Sequence, residues 1–333
     1  MAKKVAIDLG TANSLVFVQG KGIVVREPTV VALSLDDKKV LAVGQDAKEM
    51  LGKVPGNIIA KRPLKQGVIA SYKLTEALLK SFLNKAIGRS RFFKPEVMIS
   101  VPAGLTSVEE RAVIEAALSA GAGKIYLIPE PIAAAIGAEL PISTSTGNMI
   151  VNMGGGTTEV AIISMNGIVS FESKRVAGDA LNEAILNFMR KSRGLMIGEQ
   201  MAEKIKMEVG CAIQLDDPLE MEVRGRDANT GLPATVIVTS NEIYEAVRPV
   251  LNQIIGAMKT VLEKTPPELA SDIIDRGMVL SGGTALFKDI DELFTRATGV
   301  PAHIVDKPLE AVVNGIAEAL RHLDIIKSSL RSR

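Results

Sequence analysis

Two short segments of this sequence share one arrangement of glycine, threonine and apolar residues. In each, an apolar strand ends in a small polar loop, and a second apolar strand follows. The loops are Gly10-Thr11-Ala12-Asn13 and Gly154-Gly155-Gly156-Thr157-Thr158. Glycine allows several backbone N–H groups to approach one point, and threonine hydroxyls add further donors. Loops of this kind suit the oxygens of a phosphate group.

A single glycine-rich turn between strands is usually only a turn. Two related loops, each near the start of one half of the chain, are harder to explain in that way. Together they could hold a polyphosphate from opposite sides.

The two segments differ in charge at one corresponding position. Asp8 precedes the first loop, whereas Asn152 precedes the second. An amide keeps the hydrogen-bonding capacity of this position but loses its negative charge. We therefore expect one charged anchor at the site rather than two.

A third glycine pair, Gly282-Gly283, is followed by Thr284 and comes directly after an apolar strand predicted at 277–281. A glycine turn between a strand and a helix N-terminus fits a nucleotide base or a phosphate about equally well. The chain contains neither G-x-G-x-x-G nor G-x-x-x-x-G-K-[ST]. The dinucleotide-binding fingerprint and the P-loop are therefore not supported.

The composition excludes several classes of protein. The 39 basic and 38 acidic residues give a net charge of +1, so nucleic acid is not expected as a partner. One cysteine and two histidines leave no internal disulfide, no cysteine metal cluster and little material for a Ser-His-Asp relay. The first apolar run is interrupted by Asp8 and no uninterrupted run is long enough for a membrane span, so neither a signal peptide nor a transmembrane helix is expected.

Strands alternate with helical stretches, which indicates an α/β architecture. Apolar spacing predicts helices over 72–88 and 107–123, the second with a capping box formed by Ser107 and Glu110. A small, turn-forming stretch at 139–148 separates two halves of similar plan. We expect two similar domains that face each other.

Five ordered motifs carry a resemblance to a known family. They are IDLGTANSLVFVQGKGIVVREPTVVA, IPEPIAAAIGAELP, GGGTTEVAIISMNGIV, AEKIKMEVG and PPELASDIIDRGMVLSGGTAL. The chain resembles the MreB family of bacterial actins over essentially its whole length. The resemblance implies an actin-like α/β fold with two related domains around a nucleotide cleft, each carrying a smaller inserted subdomain. The expected boundaries are 1–143 plus 312–333, with an insertion at about 33–65, and 144–311, with an insertion at about 181–242.

The resemblance also implies a Mg²⁺-ATP site, with ADP as the product. Asp8 is expected to hold Mg²⁺ through its water shell. Residues 10–13 and 154–158 correspond to the two phosphate loops, and Gly282, Gly283 and Thr284 to the loop under the adenine. Glu203 and Lys206, on one face of a helix, match the contacts to ribose and adenosine.

Glu130 and Asn152 are the expected catalytic residues. The resemblance makes Glu130 the residue that positions water against the terminal phosphate. From the residues alone, Glu130 could equally be a carboxylate that caps the helix beginning at Pro131. The family usually has an aspartate at position 152, so Asn152 predicts retained ATP binding with slowed hydrolysis.

Phe92 and Phe93 lie between Arg89, Arg91 and Lys94, which is unusual in a chain with eight phenylalanines. Such a pair could simply pack in the core. The resemblance points instead to a loop that enters an anionic membrane surface, with each cation contributing ~1 kcal/mol. It also implies self-assembly into paired protofilaments, a cytoplasmic location on the inner face of the membrane, and the cell-wall elongation machinery as a partner.

Three functions follow from these observations. The first is a membrane-associated filament that maintains rod shape and uses a weak ATPase activity to regulate the polymer. The second is a small-molecule kinase of the same superfamily, which Asn152 disfavours because it supplies no carboxylate. The third is a filament paralogue that binds nucleotide but hydrolyses it poorly.

Overall fold

The computed structural model describes residues 2–88, 94–323 and 331–332. The α-helices of this part of the chain are α1 (Gln45–Glu49), α2 (Tyr72–Ile87), α3 (Ser107–Ser119), α4 (Glu130–Gly137), α5 (Gly178–Ser192), α6 (Glu199–Glu208), α7 (Ser240–Glu263), α8 (Pro267–Arg276), α9 (Ile290–Thr298) and α10 (Ala311–Arg321).

The strands of the first half are β1 (Lys4–Leu9), β2 (Asn13–Val18), β3 (Gly22–Pro28), β4 (Val31–Ser34), β5 (Val40–Val43), β6 (Ile58–Lys61), β7 (Leu64–Lys65), β8 (Val68–Ile69), β9 (Glu96–Val101) and β10 (Lys124–Pro129). Those that follow are β11 (Asn148–Met153), β12 (Thr158–Ser164), β13 (Gly167–Lys174), β14 (Leu195–Met196), β15 (Glu220–Asp227), β16 (Pro233–Thr239), β17 (Met278–Ser281), β18 (Ala302–Ile304) and β19 (Arg331–Ser332).

Two larger sheets form the body of the fold. The six-stranded sheet has the order β19-β10-β9-β1-β2-β3, and the five-stranded sheet has the order β13-β12-β11-β17-β18. In each, an antiparallel hairpin (β1–β2 or β11–β12) continues into a parallel neighbour. The two glycine loops are the turns of these hairpins, so the repeated sequence pattern corresponds to a repeated structure.

A shared apolar core joins the two sheets. Helices α4 and α10 pack against each other, and their buried residues cluster with side chains from both sheets. Two glycines allow this close crossing. A Cβ on Gly137 would lie 1.8 Å from the carbonyl oxygen of Ala311, and one on Gly315 would lie 1.8 Å from that of Ala133. A side chain at either position would therefore push the helices apart.

Two smaller sheets lie in the predicted insertions. Strands β4, β5 and β6 form one with α1, which buries Ala47 against Val30 and Ala32. Strands β14, β15 and β16 form the other. This distribution is consistent with the expected domain boundaries, which stay a prediction.

The predicted helices over 72–88 and 107–123 are confirmed as α2 and α3, but the predicted capping box is displaced by one residue. Thr106, not Ser107, is the N-cap of α3, and its reciprocal partner is Glu109, not Glu110. The reason is that Ser107 already has helical geometry, so the hydroxyl that can reach the free N–H groups belongs to the residue before it.

No helix within the described ranges is both long enough and apolar enough to cross a membrane.

Candidate functional site

A cavity of about 430 Å³ lies between the two larger sheets. Most of the residues predicted for the site line this cavity. They are Asp8, Gly10, Thr11, Ala12, Asn13, Glu130, Asn152, Gly154, Gly155, Gly156, Thr157, Glu203, Lys206, Gly282, Gly283 and Thr284. The structure thus brings together residues that are up to 276 positions apart in the sequence.

The two glycine loops touch each other at the base of the cavity. A Cβ on Gly155 would lie 2.6 Å from the Cβ of Ala12, and one on Gly156 would lie 2.5 Å from Oγ1 of Thr11. Only glycine permits this approach at both positions. Among the described residues, none accepts a hydrogen bond from the backbone N–H groups of these four residues. Unpaired N–H groups of two adjoining loops form a concavity that can bind an anion.

Side-chain hydroxyls anchor the carbonyl groups of the loops. Thr29 Oγ1 donates to the carbonyl oxygen of Gly10 over 2.7 Å, and Thr284 Oγ1 donates to that of Gly154 over 2.7 Å. The second bond joins the third glycine turn to the second loop. These bonds hold the loops in one conformation before any ligand binds. Less conformational entropy is therefore lost on binding.

Thr158 is the exception among the loop residues. Its side chain is fully buried, its hydroxyl donates to the carbonyl oxygen of Val176 over 2.7 Å, and it does not line the cavity. The hydroxyl of Thr158 secures strand β12 to the chain before α5.

A row of polar side chains crosses the five-stranded sheet, and one of them, Asn152, lines the cavity. Ser281 on β17, Asn152 on β11, Glu159 on β12 and Ser173 on β13 are successive register partners, and the last three strands are antiparallel. Ser281 Oγ donates to Asn152 Oδ1 over 3.1 Å, and Ser173 Oγ donates to Glu159 Oε1 over 2.5 Å. Partners directly opposite each other project from the same face, so these side chains form one continuous row.

The row meets the six-stranded sheet at Glu130. Asn152 Nδ2 donates to Glu130 Oε2 over 3.3 Å. Burial raises the pKa of Glu130 well above its usual range, and the negative charges of Glu159 and Asp8 raise it further, against the opposing effect of the Asn152 hydrogen bond. A carboxyl group with a raised pKa beside a cavity is a candidate for proton transfer or for orienting water.

Asp8 and Glu159 are in similar surroundings. Burial raises the pKa of Asp8 to about 6, although Ser100 Oγ donates to its carboxylate over 3.1 Å. Burial also raises the pKa of Glu159 to about 7, against the hydrogen bonds from Ser173 and from the backbone N–H of Ala103. The charges of Asp8 and Glu159 both act on Glu130, and no basic side chain of the described residues forms an ion pair with any of these three carboxyl groups.

This arrangement fits a cation that is held mainly by non-protein ligands. Within the described part of the chain, no three His, Cys, Asp or Glu side chains converge as a metal-binding group. Asp8 lines the cavity next to the first loop. A hard cation that keeps its waters and binds phosphate oxygens needs only one or two protein carboxylates, so Mg²⁺ fits these residues.

Glu203 and Lys206 lie at the other end of the cavity, on α6. Lys206 Nζ donates to the carbonyl oxygen of Gly178 over 3.3 Å. Glu203 forms an ion pair of 2.9 Å with Lys48 on α1, so this pair joins α1 to α6 beside the cavity. Burial tends to raise the pKa of Glu203, but the hydrogen bond and charge of Lys48, with the charge of Lys206, lower it overall. Burial lowers the pKa of Lys206, and Glu203 opposes that effect.

Comparison with known proteins assigns the family. The model of the MreB/Mbl protein family matches residues 2–328. The chain belongs to the MreB/Mbl family. The cell shape-determining protein MreB of Escherichia coli strain K12 is 50% identical over 326 residues, which cover 96% of this chain and 94% of that protein. The cell shape-determining protein Mbl of Bacillus subtilis strain 168 is 47% identical over 323 residues, covering 97% of each chain.

Solved structures show the same fold. MreB 5 of Spiroplasma citri bound to AMPPNP superposes with a TM-score of 0.92 at 33% identity, covering 97% of both chains. The ADP-bound form of that protein gives the same TM-score at 32% identity. The MamK double helical filament, at 19% identity and a TM-score of 0.81, shares the fold. The predicted actin-like α/β fold and the predicted MreB family are both confirmed.

Two residues next to this MreB/Mbl site were missed by sequence reasoning. Glu159 directly follows the second loop, and Lys48 lies in the first insertion. A signal for Glu159 existed, because it is a lone acid within the apolar strand TEVAIIS. No sequence pattern indicated a role for Lys48, because only the fold brings α1 opposite α6.

Phe92 and Phe93, predicted to contact a membrane, lie outside the described residues.

Proposed function

We propose that this protein binds ATP with Mg²⁺ in the cavity between its two larger sheets, and that ATP binding and slow hydrolysis regulate its assembly into filaments that determine cell shape. The observation that carries the proposal is the contact between the two glycine loops, whose unpaired N–H groups adjoin Asp8 and Glu130. Membership of the MreB/Mbl family supports it.

In this proposal, loop residues 10–13 and 154–157 bind the phosphates. Asp8 holds Mg²⁺ through water, and the ion neutralises part of the phosphate charge. Glu203 and Lys206 contact the ribose and adenosine, and residues 282–284 lie under the base. The AMPPNP and ADP forms of Spiroplasma citri MreB 5 support a nucleotide here.

Hydrolysis depends on Glu130, which is buried, lines the cavity and begins a helix. Its carboxyl group is proposed to orient the attacking water and to accept its proton. Asn152 holds Glu130 by a hydrogen bond but adds no negative charge. The capacity to polarise water is therefore small, and we expect slow turnover.

Self-assembly, a membrane surface and wall-synthesis partners complete the proposal. The relatives named as cell shape-determining proteins support the role in shape, and the MamK filament supports assembly of the shared fold. The basic segment with Phe92 and Phe93 supports binding to the inner face of the cytoplasmic membrane. The two domains are proposed as 1–143 plus 312–333 and 144–311, because α10 packs on α4, β1, β2 and β9.

The test is electron microscopy of the protein with Mg²⁺-ATP on anionic liposomes, with phosphate release measured in the same samples. We expect paired filaments on the membrane and slow release of phosphate. Filaments without phosphate release would identify a nucleotide-binding paralogue with little hydrolysis, which Asn152 favours as the second candidate. Dispersed monomers that phosphorylate a small molecule would instead identify a kinase and overturn the proposal.

A further inference from the structure

Glu159 is a buried carboxyl group that the proposed reaction does not use directly. Only 1% of the residue is exposed, and it does not line the nucleotide cavity. Burial of a carboxylate is costly unless hydrogen bonds compensate it. Both of its oxygens are engaged, Oε1 by the hydroxyl of Ser173 and Oε2 by the backbone N–H of Ala103 over 3.1 Å.

The second of these bonds joins the two larger sheets. Ala103 belongs to the turn that follows β9 of the six-stranded sheet, whereas Glu159 lies on β12 of the five-stranded sheet. The turn also packs against β13, since a Cβ on Gly104 would lie 3.5 Å from the Cβ of Ser173. Glu159 therefore joins the six-stranded sheet to the five-stranded sheet by a hydrogen bond.

The hydrogen bond between Ala103 and Glu159 lies next to the residues that hold the proposed catalytic group. On β11, Asn152 is the register partner of Glu159. In the six-stranded sheet, Pro129 pairs with Val101, so Glu130 and the turn with Ala103 leave the same edge of neighbouring parallel strands. Glu159 thus contacts the turn at Ala103 on one side and lies next to Asn152 on the other. Any separation of the two sheets here would lengthen the bond from Asn152 to Glu130.

The charges around Glu130 agree with this arrangement. The negative charges of Glu159 on β12 and Asp8 on β1 raise the pKa of Glu130, and Asn152 on β11 is neutral. The charged residues Glu318 and Arg321 on α10, which packs on α4, pair with each other. Two carboxyl groups held close together without a cation repel each other, so the geometry needs a restraint. The hydrogen bonds to Glu159 supply it.

We propose that Glu159 is a positioning residue for hydrolysis: through its bond to the Ala103 N–H it holds the two sheets at the separation at which Asn152 fixes Glu130 against the terminal phosphate. This inference rests on the proposed ATPase function. It assigns Glu159 a role in turnover and none in nucleotide affinity, because Glu159 does not line the cavity.

The test removes the hydrogen bond between Ala103 and Glu159 by changing its donor and its acceptor in separate variants. Ala103→Pro deletes the N–H donor and leaves Glu159 in place. It suits the local backbone because Ala103 is the second residue of the turn from Pro102 to Leu105, where proline is favoured. Glu159→Ala removes the acceptor. Glu159→Gln keeps an oxygen for Ala103 and an amide for Ser173, so it is the conservative rescue.

Single-turnover phosphate release and nucleotide affinity are measured for each variant. We expect Ala103→Pro and Glu159→Ala to reduce the rate about tenfold or more, with affinity for a fluorescent ATP analogue changed less than about threefold. Glu159→Gln should recover most of the rate lost in Glu159→Ala. Glu172→Ala is the matched control, because Glu172 is a carboxylate on β13 that pairs with Lys174 and Lys264 outside the site.

The outcomes separate this inference from the function on which it rests. If the wild type releases phosphate and Glu130→Gln does not, the proposed function stands. An unchanged rate in Ala103→Pro would then overturn the role of Glu159 alone. If Ala103→Pro and Glu159→Ala both lost hydrolysis rate and nucleotide affinity in parallel, the role of Glu159 would also be overturned. Such a result would show that the variants disrupt the whole site. Should Glu159→Ala fail to fold, Ala103→Pro and Glu159→Gln still decide the question.

Discussion

Asn152 Nδ2 donates a hydrogen bond of 3.3 Å to Glu130 Oε2, and this bond connects the five-stranded sheet to the first residue of α4. The asymmetry between Asp8 and Asn152 in the sequence acquires a structural meaning from it. An aspartate at 152 would add a fourth acid to a cluster that already contains Asp8, Glu130 and Glu159. An amide instead holds Glu130 without repelling it.

Asn152→Asp is expected to raise the rate of phosphate release by roughly 3- to 10-fold at saturating Mg²⁺-ATP. The added charge would attract the hydrated cation and help to polarise the attacking water. Without nucleotide, the same change should lower the melting temperature, because it places one more carboxylate in a buried acidic cluster. Phosphate-release kinetics and thermal melts check both effects, and an unchanged rate would contradict this account of Asn152.

Glu130→Gln is expected to slow hydrolysis by at least ~100-fold, the usual minimum for loss of a positioned acid or base. Nucleotide affinity should change less than about threefold, since the amide keeps the shape of the side chain. Single-turnover hydrolysis and equilibrium binding provide the two measurements. If Glu130 only caps α4, hydrolysis will continue at the wild-type rate.

Stability without nucleotide should fall as the pH rises. The pKa of Asp8 is raised from 3.8 to about 6, and that of Glu159 from 4.5 to about 7. An acid with a raised pKa keeps its proton to a higher pH in the folded state than in the unfolded state. The free energy of unfolding therefore decreases as the pH rises from the unfolded-state pKa to the folded-state pKa. This contribution is fully present at low pH and is lost above about pH 7.

Glu159→Gln isolates this effect, because glutamine has no proton to lose. Urea unfolding of the two proteins at pH 5 and pH 7.5 is the measurement. The wild type should lose more stability over this interval than Glu159→Gln does. Parallel changes in the two proteins would show that Glu159 does not titrate as described.

Sequence alone was sufficient for the fold class and for the two glycine loops that line the cavity, and the reason is physical. Strand–glycine–strand segments are local, so residues 10–13 and 154–157 could be recognised without knowing the fold. The side chain of Thr158, which was predicted for the site, does not line the cavity because strand alternation turns it away. Long-range contacts could not be predicted from the sequence. No local sequence pattern determines the register of β11 with β12 or the position of α1 opposite α6.

Lys48→Ala tests one such long-range contact. The ion pair between Lys48 and Glu203 joins α1 to α6 beside the cavity, and Gln200 Nε2 donates to the carbonyl oxygen of Lys48 over 3.0 Å. Removal of a partly exposed ion pair should accelerate nucleotide dissociation by about threefold. Stopped-flow displacement of a fluorescent nucleotide measures the rate. The exposed Lys53→Ala should behave like the wild type, and an equal rate for Lys48→Ala would exclude a role for this pair in retention.

Replacement of Phe92 and Phe93 by serine is expected to reduce binding to anionic vesicles by at least about tenfold, because each buried phenylalanine contributes on the order of 2 kcal/mol. Nucleotide binding should be unaffected. Co-sedimentation with vesicles provides the measurement, with Phe171→Ser, an exposed phenylalanine on β13, as the control. Equal sedimentation of the double variant and the control would place the membrane contact elsewhere.

The most direct test of the central claim is a cryo-electron microscopy structure of filaments grown with Mg²⁺ and a non-hydrolysable ATP analogue. We predict terminal phosphates within hydrogen-bonding distance of N–H groups from both residues 10–13 and residues 154–157, with Glu130 facing the last phosphate. A nucleotide bound outside this cavity, or filaments whose cavity is empty, would contradict the account.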